Sequence, residues 1–158
     1  MPRLLSLRNS FEMGITKVEL LHLADTRIDD AKALLDSGRP DGAYYLAGYA
    51  VELGLKAVIA SQIKAEEVPD RNIRDFWSHD FSKLIKVAGI QEKLQDRLRA
   101  SYDDVFPEFE ICWEIANEWS EASRYTLVGS IQANRAKNLI DAITWPKTGV
   151  LIWLKSIC

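Results

Sequence analysis

Apolar positions recur at three- and four-residue intervals wherever this chain has a clear period, and no stretch alternates as a strand would. Between Thr16 and Asp36, the residues Val18, Leu21, Ala24 (or Asp25), Ile28, Ala31 and Leu35 form one stripe, which predicts a first helix. The break SGRPDG ends it. Gly38 suits a helix C-terminus, and Pro40 with Asp41 suits the start of a second helix running to about Ile63. So short a connection sets the two helices antiparallel. A looser connector, KAEEVPDRNIRDFW, precedes a short helix over His79–Gly89, with Ser78 or Asp80 as its cap. An amphipathic helix is expected to continue to Tyr102. A third major helix opens at Pro107 and runs through EFEICWEIANEW, and another covers Tyr125 to Thr144. Pro146 and Gly149 interrupt the tail before VLIWLKSI, a last apolar turn or two. The expected fold is all-α: an up-and-down bundle of four to five main helices, with a short helix after the helix-two connector. It is read as one domain over residues 1–158, with its core over about 16–145 and an apolar tail over 146–158.

The second helix is the most apolar segment, and its side chains sort into sectors at about 100° per residue. Ala43, Ala47, Ala50, Gly54 and Ala57 lie close to one line, a stripe of small residues that lets another helix backbone approach closely. Tyr44, Val51, Leu55 and Val58 flank it on one side, Leu46 and Leu53 on the other. Opposite the small stripe sit Tyr45, Tyr49, Glu52 and Lys56, the helix's polar line. Two readings of that line stand open. It is a solvated seam in which Glu52 and Lys56 form a helical ion pair contributing about 0.2–0.5 kcal/mol. Or it is a partly buried network, in which case the Glu52 carboxylate needs a cationic partner from another helix, an arginine.

Composition narrows the classes. Hydrophobic residues at 47% and charged ones at 27% are ordinary for a globular chain and argue against disorder. A net charge of -3 supplies no basic footprint, so nucleic-acid binding would need a local patch. Glu52 and Lys56 at mid-span argue against a membrane-spanning reading of residues 42–60. The N-terminal stretch lacks the apolar core and cleavage site of a signal peptide, so a cytoplasmic location is expected. Cys112 and Cys158 have no motif spacing and read as reduced thiols. Metal-ligand spacing and a Gly-rich phosphate loop are absent, so no metal and no cofactor are expected.

Four blocks in order resemble the HEPN-domain family. DDAKALLDSGRPDGAYYLAGYAVELGLKAVIA is similar to that family's first two helices. WSHDFSKLIKVAGI looks like its H-D-L..L segment, with Phe81 in place of Leu. WEIANEWSEASRY, through Trp113, Trp119, Arg124 and Tyr125, looks like its W…W…RY block, and KTGVLIWLK resembles the close of one bacterial branch. The resemblance implies an all-α bundle, commonly a homodimer. It also implies association with RNA or a nucleotide, often beside a minimal nucleotidyltransferase partner in toxin–antitoxin or phage-defence settings. Active members of the family are metal-independent ribonucleases with an Arg-x4–6-His motif, whose histidine moves protons while the arginine offsets charge on the phosphorane.

This chain departs from that motif. After Arg124, positions 129 to 131 are Gly129, Ser130 and Ile131, with no histidine. An Arg-x4-His string occurs instead as Arg74-DFWS-His79, in the connector, which makes Arg74 and His79 weak catalytic candidates. The chain is therefore read as a non-catalytic binding or regulatory module, with a ribonuclease toxin as the alternative. Its expected polar groove comprises Glu52, Lys56, His79, Asp80, Arg124 and Tyr125, with Arg124 pairing directly with Glu52.

Overall fold

Two long helices, Lys17–Asp36 (α1) and Pro40–Ser61 (α2), form an antiparallel hairpin in a computed structural model that describes residues 15–63, 73–100 and 107–158. Thr16 caps α1 through a reciprocal pair of bonds: its hydroxyl accepts from the Glu19 N–H, and Glu19 accepts from the Thr16 N–H. At the far end Gly38 adopts a left-handed φ of 72°. That turn lets Arg39 N–H reach the Leu34 carbonyl at 2.8 Å and Gly38 N–H reach that of Leu35 at 3.0 Å, closing the helix as the Gly38 position predicts. The buried stripe of α1 is Leu20, Ala24, Ile28 and Ala31. Val18, expected on that stripe, lies two residues before Leu20, about 200° round the helix, and is exposed.

Five shorter α-helices complete the described chain: Phe81–Ala88 (α3), Gln91–Arg99 (α4), Phe109–Asn117 (α5), Ala133–Thr144 (α6) and Val150–Ser156 (α7). Two 3-10 turns, Ile73–Trp77 and Glu121–Tyr125, lie between them. The bundle is all-α, as the periodicity requires, and α2 is its spine: it touches α1, α3, α6, α7 and the turn at Glu121–Tyr125. Its small stripe is fully used. Ala43, Ala47, Ala50 and Ala57 are buried, and a Cβ on Gly54 would sit 2.9 Å from Leu151 and 3.0 Å from Leu154 of α7. Lys155 of α7 also pairs with Asp25 of α1 at 2.6 Å.

Some expected boundaries move. The amphipathic helix ends at Arg99, and its expected end at Tyr102 falls outside the described residues, as does the connector over residues 64–72. The third helix stops at Asn117, before Trp119. The helix expected from Tyr125 starts only at Ala133. Its first eight positions are diverted because Gly129 takes a left-handed φ of 87°. The N–H groups of Gly129 and Ile131 donate to the Asp41 carboxylate, at 2.7 and 2.8 Å, instead of to a preceding turn. Leu127 and Val128, which a helix would have to bury on one face, stand exposed.

A buried charge relay on the central helix

Glu52 is fully buried on α2, and Lys56 is nearly so. The solvated-seam reading of this line therefore fails. The pair is direct, with Lys56 Nζ donating to Glu52 Oε1 at 2.7 Å, and the ammonium also lies 5.7 Å from the centroid of the Phe76 ring. A carboxylate this deep needs further donors, because removing one partner from a buried pair costs about 3–5 kcal/mol. The second donor is His79, whose Nδ1 lies 3.0 Å from each Glu52 oxygen.

Local structure explains why His79 points there. Asp80 caps α3, accepting from the N–H groups of Ser82 and Lys83, and Ser78 accepts from the Asp80 N–H. His79 sits between these two caps, in the half-turn that leads from the 3-10 turn back toward α2. Asp80 itself is an exposed helix cap with no contact to the relay.

The other ring nitrogen faces a second carboxylate. His79 Nε2 lies 3.1 Å from Glu121 Oε2, and the same oxygen receives Arg124 Nη2 at 3.1 Å. A neutral imidazole donates through one nitrogen only, and an imidazolium would donate to both carboxylates. The result is a line of alternating basic and acidic side chains, Lys56–Glu52–His79–Glu121–Arg124, running from the core to the surface. The expected direct pair between Arg124 and Glu52 is not formed. Lys56 and His79 take up the Glu52 carboxylate, and Arg124 joins the line two links further out.

Arg124 lies over the Tyr125 ring, 5.1 Å from its centroid, and beside the Tyr45 hydroxyl; Tyr125 is 78% exposed. The turn that carries Glu121 and Arg124 buries none of its own side chains. It is held from behind by Trp119, whose ring stacks on Phe81 at 5.4 Å and on Tyr45 at 6.1 Å. That ring lies directly on Gly48, where a Cβ would come within 2.2 Å of it. Tyr45 also stacks on Tyr49 in parallel, at 6.2 Å. Burial, and then the charge of Glu52, hold the Tyr49 phenol above its ordinary pKa, so it is a neutral wall of the site. Burial raises Cys112 and Cys158 as well, which leaves neither as a ready nucleophile.

Sequence reasoning placed Glu52, Lys56, His79, Asp80, Arg124 and Tyr125 in one groove. Glu52, Lys56, His79 and Arg124 fall on one continuous line with Tyr125 beside Arg124, and Asp80 stands apart as the α3 cap. Arg74 has its side chain outside the described residues. Glu121 and Gly48 were missed. Glu121 had one available signal, its position three residues before Arg124, the spacing at which helical side chains meet. A surface concavity on α4, lined by Gln91, Glu92, Gln95, Asp96 and Arg99, shares no residue with the relay.

Comparison with known proteins gives one match: a family model described as HEPN domain covers residues 18–143, well over half of the chain. Neither the curated proteins nor the solved structures include a significant match.

Proposed function

Because the chain belongs to the HEPN-domain family, we propose that it is a binding and regulatory module that engages RNA or a nucleotide at the outer end of the relay. The observation that carries this reading is the convergence of His79 Nε2 and Arg124 Nη2 on one point beside the exposed Tyr125 ring. Cationic donors suit a phosphate, and an exposed aromatic face suits a base. The rest of the chain supplies no basic field, so this local arrangement is what would select an anion. In this reading the protein is a single-domain homodimer in the cytoplasm. It acts with a small nucleotidyltransferase partner in a toxin–antitoxin or phage-defence setting.

A second reading, a metal-independent ribonuclease, is favoured by one feature: the fold supplies from the connector a histidine that the segment after Arg124 lacks. In that chemistry the 2′-hydroxyl attacks phosphorus and its proton passes to Glu121. Arg124 offsets the phosphorane charge, and the 5′-oxygen leaves with the His79 proton, so a 2′,3′-cyclic end remains.

One assay separates the two. Purified protein is incubated with single-stranded RNA in chelator, with binding and cleavage both recorded, for the wild type and His79→Ala. Binding of intact RNA, weakened in His79→Ala, is the expected result. Cleavage to cyclic ends that falls about 100-fold in His79→Ala would replace the binding reading with the enzymatic one. Intact and unbound RNA would remove both.

A further inference from the structure

Glu121 differs from the other acid of the relay, Glu52. Glu52 is fully buried and bridges Lys56 and His79 through both of its oxygens. The Glu121 side chain is 39% exposed, and a single oxygen, Oε2, receives both of its basic neighbours. Those neighbours, His79 and Arg124, are each 39% exposed as well, so solvent reaches all three groups. Nothing in the packing requires Glu121, since its turn contributes no buried side chain and Trp119 fixes the backbone just before it.

We infer that Glu121 is a built-in, displaceable ligand: its Oε2 stands in for a non-bridging phosphate oxygen and masks an anion site made by His79 Nε2 and Arg124. This rests on the binding reading above and adds to it both the group recognised, a phosphate, and its regulation by the chain's own carboxylate. Charge supports it. With an imidazolium at His79, the five groups of the relay sum to +1. With Glu121 swung out, the four that remain sum to +2, and their free donors face the space the carboxylate has left. An entering phosphodiester restores the balance that Glu121 provided. Tyr125, under the Arg124 guanidinium, then offers its open ring to the adjoining base. What Glu121 gives up is two exposed ion pairs, which are individually weak, so a ligand with two phosphate oxygens can outcompete it.

Titrating the full chain with a short single-stranded RNA and, separately, with inorganic phosphate tests this at constant ionic strength. Glu121→Ala should bind the RNA about five-fold more tightly than the wild type, the scale of two exposed ion pairs. Glu118→Ala is the control. It removes the same charge from a residue that lies 3.9 Å from Arg135 and outside the relay, and it should change binding by less than about two-fold. Adding Arg124→Ala to Glu121→Ala should abolish the gain. In Glu121→Ala, inorganic phosphate should shift the His79 ring resonances, and RNA should displace it.

Equal gains in Glu121→Ala and Glu118→Ala would reduce the effect to net charge and overturn the inference. Weaker binding in Glu121→Ala would overturn it as well, by making Glu121 a needed contact. If the wild type binds RNA and Glu121→Ala leaves the affinity unchanged, masking falls while the binding reading stands. If no variant binds RNA, both fall.

Discussion

Two non-helical segments carry the chain past α2, residues 118–132 between α5 and α6 and residues 145–149 between α6 and α7, and they are built in opposite ways. The second is pinned at Trp145, Lys147, Thr148 and Gly149, with Gly149 N–H donating to the Trp145 carbonyl at 2.8 Å. Thr148 is buried, Arg97 donates to the Lys147 carbonyl at 3.0 Å, and Lys147 holds a left-handed φ of 72°. A Cβ on Gly149 would lie 2.6 Å from three backbone atoms of Ile143 and Trp145. The first segment has its main anchors near its ends, the Trp119 ring on Gly48 and the Asp41 carboxylate on the amides of Gly129 and Ile131. The stretch between meets its neighbours through part-exposed polar contacts such as Glu121 with His79. Between those points Tyr125, Leu127 and Val128 face outward. A segment whose main anchors lie near its ends can change what its exposed part presents without disturbing the core, which is where a fold places groups that must meet a ligand.

Three changes would break or sharpen that contrast. Trp119→Ala removes the inner anchor of the first segment and leaves a void against Gly48, Tyr45 and Phe81. Chemical denaturation should show a loss of about 3–5 kcal/mol, and a loss below about 1 kcal/mol would show that the segment is anchored elsewhere. Gly149→Ala should come next, at about 2–3 kcal/mol, because the intruding methyl meets backbone rather than a mobile side chain. A near-neutral result would mean that the second segment has room to shift and is less rigid than its contacts indicate.

Asp41→Ala should have the smallest effect on global stability and the most local one. Hydrogen exchange at Gly129 and Ile131 should accelerate while core amides of α2 keep their protection. The same tether has a pH dependence. The two amide donors hold the Asp41 carboxyl below its usual range. A depressed carboxylate stabilises the folded tether above its unfolded pKa, about 4, and loses that contribution as pH falls through the lower folded value. Protection factors at Gly129 and Ile131 should therefore persist at neutral pH and collapse on acidification before those of α2. Simultaneous loss in both places would unite the segment with the core.

The fold was legible where burial follows one helix's own periodicity. The Ala and Gly line of α2 needs only the 100° rotation to be seen, and the capping residues Gly38, Asp80 and Gly89 announce their helix ends by chemistry. The site was legible in part. Glu52, Lys56, His79, Arg124 and Tyr125 were brought together, Asp80 was included with them but serves as a helix cap, and the order in which the others join was not legible. Glu52 accepts His79 rather than Arg124 because the half-turn between the Ser78 and Asp80 caps aims the imidazole at α2, and no periodicity encodes that. The late start of α6 has a similar cause. Asp41 and Gly129 lie 88 positions apart, and their contact overrides a local pattern that reads as helix.

The burial of α2 also sets a timetable for making the protein. The α1–α2 hairpin closes over a short turn and can form as soon as both helices are complete. The Gly54 position of the Ala and Gly line, however, has no α7 partner until residues near Leu151 and Leu154 exist. At about 5–20 residues per second, that leaves this end of the spine without its α7 cover for roughly 5–20 seconds of synthesis. Lys56 and Glu52 must wait as well, since His79 arrives later than both. During that interval the nascent hairpin is the form of this chain most in need of a chaperone.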